Sequence, residues 1–167
     1  MKHDISSKTV AEKRIERVKA LFYDVTPLKT DCGFVCSGAC CKGDDKTGML
    51  LFPGERTPLT VLERDARRLA VCAGACDRDD RPLSCRIFPF FPVPDENGNV
   101  CAAIDPRAFS VCPLARQAEA VAFDPRFIRR VKVAGKILLN DPEAAAFLRE
   151  IAEEIKELAA AREKLTK

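Results

Sequence analysis

Nine cysteines lie between residues 32 and 112, and the 31 residues before and 55 after that window contain none. Thiolates are the soft donors that zinc and iron–sulfur centres prefer, and several gathered in one fold need a cation to offset their repulsion. The window therefore predicts a cysteine-ligated metal centre, with zinc or iron as the cofactor. Disulfides are the competing use. The chain opens Met1, Lys2, His3, Asp4 without an apolar leader, which predicts a cytoplasmic protein in a compartment that disfavours cystines, and an odd count leaves one thiol unpaired. Burial as a plain small hydrophobe is the bland fate for any one of them.

At 167 residues the chain suits one fold burying roughly 70% of its unfolded surface. A formal charge of +3 gives no clear nucleic-acid signal. No run approaches the ~20 apolar residues of a membrane span.

Residues 9–23 read as an amphipathic helix, with Thr9 and Glu12 as a capping box and Ala11, Ile15, Val18 and Phe22 on one side. Its Lys13, Arg14, Arg17 and Lys19 read as a solvated face. Three glycines between Asp31 and Asp45 predict a looped knuckle around Cys32, Cys36, Cys40 and Cys41. Met49–Phe52 predicts a short buried strand. Thr60 and Glu63 repeat the capping-box pattern, and with Leu62, Ala66 and Leu69 they predict a second helix leading to Cys72 and Cys76. The apolar run from Arg86 to Val93, broken by Pro89 and Pro92, predicts an irregular edge strand. Asn97-Gly98 turns it back into a strand over Val100–Ile104, whose alternation buries Cys101. Cys112-Pro113 opens a short helix, and Asp124-Pro125 and Asp141-Pro142 open two longer ones. The last, if it runs to 165, is about 36 Å long. Its length allows a homodimer through the C-terminal helix.

The predicted fold class is α+β: a small irregular cysteine-rich domain with a short β-hairpin at 31–115, an N-terminal helical segment at 1–30, and a C-terminal helical hairpin at 116–167 packed on it.

The spacings exclude several familiar sites. There is no Cys-x-x-Cys pair for a zinc ribbon or a thioredoxin-like exchange, and the gaps do not match a bacterial ferredoxin run. His3 is the sole histidine, which removes histidine-rich catalytic zinc sites. Catalytic residues cannot be named. Adjacent Cys40 and Cys41 do not easily share one ion, so they favour two neighbouring centres or a cluster wider than one ion.

The tight cluster ending in Cys40-Cys41, followed about forty residues later by Arg81-Pro82-Leu83-Ser84-Cys85-Arg86-Ile87-Phe88-Pro89-Phe90, resembles the YkgJ-type cysteine-cluster family of zinc- or iron-chelating domains. By position, the resemblance implies ligation by Cys32, Cys36, Cys40, Cys41 and Cys85, with Cys76 matching the cysteine before the Arg-Pro element. Cys112, inside the same window, completes the candidate set. The family usually separates its first cysteines by two residues, whereas both gaps here are three, so which thiols share an ion stays open.

Arg81 and Arg86 flank Cys85, where a guanidinium would lower thiol pKa values; pairing with the Asp77–Asp80 carboxylates is the alternative. Phe88, Phe90, Phe91 and Phe109 are expected to wall off the centre. Asp44 and Asp45 are possible oxygen ligands, or simply solvated turn residues. The function predicted is an accessory or structural metal-binding protein, with an iron–sulfur redox protein or enzyme, or a thiol redox sensor using Cys72 or Cys101, as alternatives.

Overall fold

The computed structural model describes residues 8–42, 48–72, 74 and 76–165. The protein is α+β, built from a cysteine-rich centre with two small antiparallel sheets, an N-terminal helix and C-terminal helices. Helix α1 spans Val10–Ala20 and begins with the expected capping box: the Thr9 hydroxyl accepts from the Glu12 amide, and the Glu12 carboxylate accepts from the Thr9 amide. Its basic face is partly engaged. Arg14 pairs with Asp141, and Lys19 approaches the buried Glu55 at 3.8 Å.

Helix α2 (Gly33–Cys36) is one turn long, and a 3-10 turn at Ala39–Cys41 follows it. Strand β1 (Met49–Leu50) pairs with β3 (Arg67–Val71), and β2 (Thr60–Arg64) lies on the other side of β3. The helix predicted from Thr60 is therefore a strand. Its capping-box letters are present, but Thr60 and Val61 are β-branched, and Leu62 stands opposite Leu69, so cross-strand pairing overrides a weak local preference. Asp65 and Ala66 form the two-residue connection at φ +52° and +62°, the sense of twist that tight hairpins favour.

Helix α3 (Leu83–Ile87) occupies the start of the predicted edge strand. The strand proper, β4 (Phe90–Pro94), follows a cis Phe88–Pro89 peptide and pairs with β5 (Val100–Ile104). Asp95 closes that hairpin by accepting from the amides of Asn97 and Asn99. A 3-10 turn at Pro106–Ser110 leads into α4 (Pro113–Arg116), then α5 (Pro125–Leu138) and α6 (Pro142–Leu165). Asp124 caps α5 through the Arg126 amide, and the Asp141 carboxylate accepts from the Ala144 amide in the first turn of α6. No helix among the described residues is long and apolar enough to cross a membrane.

One apolar core draws on all three parts of the chain: Ile15, Val18 and Phe22 from α1; Phe52, Leu83, Ile87 and Phe91 from the centre; Phe127, Val131, Leu148 and Ile151 from α5 and α6. Phe52 stacks on Phe91 at 6.0 Å and meets Phe147 edge-on at 5.1 Å. Helix α5 lies so close to the β4–β5 hairpin that a Cβ on Gly135 would stand 2.6 Å from Val100 and 2.7 Å from Pro92. The buried stripe of α6 ends at Ile155; Leu158 and Leu165 are exposed, and Arg162 sits over the Phe109 ring at 3.8 Å.

Candidate metal centre

Eight of the nine cysteines line one cavity of about 90 Å³: Cys32, Cys36, Cys40, Cys41, Cys72, Cys76, Cys85 and Cys112. Each arrives from a different local geometry. Cys32 precedes α2 and Cys36 ends it; the Cys36 thiol reaches the Cys32 carbonyl at 3.7 Å. Ser37 and Gly38, both left-handed at φ +51° and +66°, then reverse the chain into the turn that carries Cys40 and Cys41. Cys72 follows β3, Cys76 precedes the 3-10 turn at Arg78–Asp80, Cys85 is in α3, and Cys112 caps α4.

The whole candidate set from the sequence lines this cavity, and so does Cys72, which lies outside that set. Its three-residue gap to Cys76 repeats the Cys32, Cys36, Cys40 spacing, and that repetition was the available signal. Cys40 and Cys41 line the same cavity. Cys101 is exposed on β5 rather than buried, although its cross-strand partner Val93 is in the core. Asp44, Asp45 and His3 lie outside the described residues.

All nine thiols are free. Burial pushes Cys32 up to about 11 and Cys40 up to about 12, and it drives Cys85 upward as well. Neighbouring thiols add to each shift: Cys36 and Cys112 act on Cys32; Cys41, Cys36 and Cys32 on Cys40; Cys76, Cys41 and Cys40 on Cys85. Arginine acts in the expected direction on one thiol. Arg81 does favour the Cys76 thiolate, but burial outweighs it and Cys76 is still raised.

The two arginines have distinct roles. Arg86 is buried and donates to the carbonyls of Arg78, Asp79 and Arg81 at 2.9–3.1 Å, with Tyr23 against its guanidinium at 5.1 Å. It clamps the backbone that carries Cys76 rather than pairing with the carboxylates of the 77–80 turn. Arg81 lines the cavity, and its buried Nε has no hydrogen-bond partner among the described residues. Such an orphan donor beside clustered thiols suits a centre in which those sulfurs carry negative charge. Phe88 lines the cavity, whereas Phe90 and Phe91 belong to the core and Phe109 packs under Arg162.

Glu55 is the important residue that the sequence did not flag. It is wholly buried and accepts from the amides of Phe52 and Leu83 at 3.1 and 2.7 Å, which ties the turn after β1 to the start of the Cys85 helix. Burial raises its pKa despite those donors and Lys19.

Among the described residues no three His, Cys, Asp or Glu side chains stand in a ready coordination arrangement. The donor chemistry nonetheless fits a soft cation: sulfur from several elements, most of it half-buried, with guanidinium charge beside it. Bringing four sulfurs onto one ion requires side-chain rotation and loss of thiol protons. Comparison with protein-family models, with curated proteins and with solved structures finds no match.

Proposed function

We propose that this is a cysteine-ligated metal-binding protein, accessory or structural in role, whose centre takes zinc or iron. The observation that carries the reading is the convergence of eight cysteines, from segments up to eighty residues apart in sequence, on one cavity, while all their thiols are unpaired. A plain apolar core has no need of eight thiols on one wall. The unpaired thiols also support a reducing, cytoplasmic compartment.

Eight thiols line the cavity. Four thiolates satisfy one tetrahedral ion, so the inventory suits two adjacent ions. A bound cation would hold the sulfurs as thiolates and cross-link the knuckle, the end of β3, α3 and α4. Arg78 and Arg81 would offset the remaining negative charge, and Arg86 would keep the Cys76 loop in position. The Cys40-Cys41 doublet and the Arg81–Phe90 segment support membership of the YkgJ-type zinc- or iron-chelating family.

The surplus of thiols over four favours a second reading, an iron–sulfur cluster in the same cavity. Elemental analysis of protein purified anaerobically without added metal, with acid-labile sulfide measured on the same sample, tests both. Zinc or iron at one to two ions per chain without sulfide is expected. Stoichiometric sulfide transfers the assignment to the cluster, and metal-free protein rejects both.

A further inference from the structure

A second and larger cavity, about 490 Å³, lies directly against the cysteine cavity and shares Cys40, Met49, Ala70, Cys72 and Phe88 with it. Its volume falls within the range of small-molecule sites. The apolar part comes from Leu69 on β3, Ile87 on α3, Phe90 and Phe91 on β4, and Val111. Four cations line it, Lys42, Arg64, Arg67 and Arg107, against two carboxylates, Asp65 and Asp105. The pairing among them is uneven. Arg67 is held by Glu150 and Glu154, and Arg107 by Asp105 and, at 3.8 Å, Glu154. Among the described residues the side chains of Lys42 and Arg64 have neither a hydrogen bond nor an ion pair, and neither has the Asp65 carboxylate on the same wall.

We infer that this cavity is a small-molecule site whose ligand is an organic anion with a compact apolar or aromatic body, held beside the sulfurs of Cys40 and Cys72. The aromatic and aliphatic lining takes the body, and Lys42 and Arg64 attract the acidic group. Two of the cysteines belong to both cavities, so a molecule bound here touches the wall of the thiol centre without entering it. The site does not depend on which metal the thiols hold, or on their holding one.

The test uses the full chain as purified and three aromatic probes of similar shape and different charge: 1-naphthoate, 1-naphthalenemethanol and 1-naphthylmethylammonium. Calorimetric titration is expected to rank them in that order, naphthoate tightest. The double substitution Lys42→Glu and Arg64→Glu changes two exposed positions and should weaken naphthoate by about fivefold or more, as expected for loss and reversal of rim charges. Val111→Trp, at a half-exposed lining position, should weaken binding by taking up part of the space, with the circular-dichroism spectrum unchanged. Failure of naphthoate to bind at millimolar concentration overturns the inference. So does equal binding of all three probes, or naphthoate affinity unchanged in both variants. Metal content measured on the same samples separates this result from that for the thiol centre, because neither variant removes a cysteine.

Discussion

Glu55 accepts a hydrogen bond from the Leu83 amide at 2.7 Å, and Leu83 begins the short helix that carries Cys85 to the thiol cavity. A carboxylate with no solvent exposure thus sets the position of a sulfur without touching it. Glu55→Ala leaves two buried amides, those of Phe52 and Leu83, without acceptors, at a cost of about 1–3 kcal/mol. Urea unfolding should register the loss, and metal content should fall with it. Full metal content in a destabilised variant would separate Glu55 from the centre.

Removing sulfurs should have local signatures. Cys40→Ser and Cys85→Ser each take a thiol from the cavity, so both should lower metal stoichiometry and melting temperature. Cys101→Ser should alter neither, since that thiol is exposed on β5 and outside the cavity. Equal metal content in all three variants would remove Cys40 and Cys85 from the ligand set.

The pH dependence should reverse with metal. In the reduced, metal-free protein, burial raises Cys32 and Cys40 from 9.0 to about 11 and about 12. The folded state therefore keeps these protons longer than the unfolded chain does. Their contribution to stability is complete below pH 9 and is lost as pH rises through 11 to 12. Thermal melts of metal-free protein should show a falling midpoint above pH 9. Because ligation needs thiolate, metal affinity should instead rise with pH over the range below those values. A flat midpoint from pH 8 to 11 without metal, or an affinity independent of pH, would contradict the account.

Much of the architecture was legible because its signals are local. Thr9 with Glu12, Asp124-Pro125 and Asp141-Pro142 fix helix starts by satisfying backbone amides nearby, and Asp95–Asn99 folds its own turn. Thr60–Glu63 carries the same letters as a helix start and forms a strand, because the deciding partners, Leu69 and Ala70, are on β3. The density of cysteines between residues 32 and 112 pointed to the region that lines the cavity. For Cys72 the repeated three-residue gap was a signal, but its place on the cavity wall depends on where β3 ends. No spacing could reveal Glu55, whose role exists only where the turn after β1 meets α3.

Packing between α5 and the β4–β5 hairpin offers a test away from the sulfurs. Gly135→Ala forces a Cβ to within 2.6–2.7 Å of Val100 and Pro92, so overpacking should destabilise the protein by about 1–3 kcal/mol. Thermal denaturation should show it. Metal content should remain that of the parent, because the contact lies away from the thiol cavity; an unchanged melting temperature would mean that the helix and hairpin separate more readily than their packing implies.

X-ray absorption at the zinc or iron edge of anaerobically purified protein tests the central claim most directly. The account predicts a sulfur-only first shell, near 2.3 Å if the metal is zinc, with about four neighbours per ion. A first shell dominated by nitrogen or oxygen, or protein without enough metal to give an edge, would contradict it.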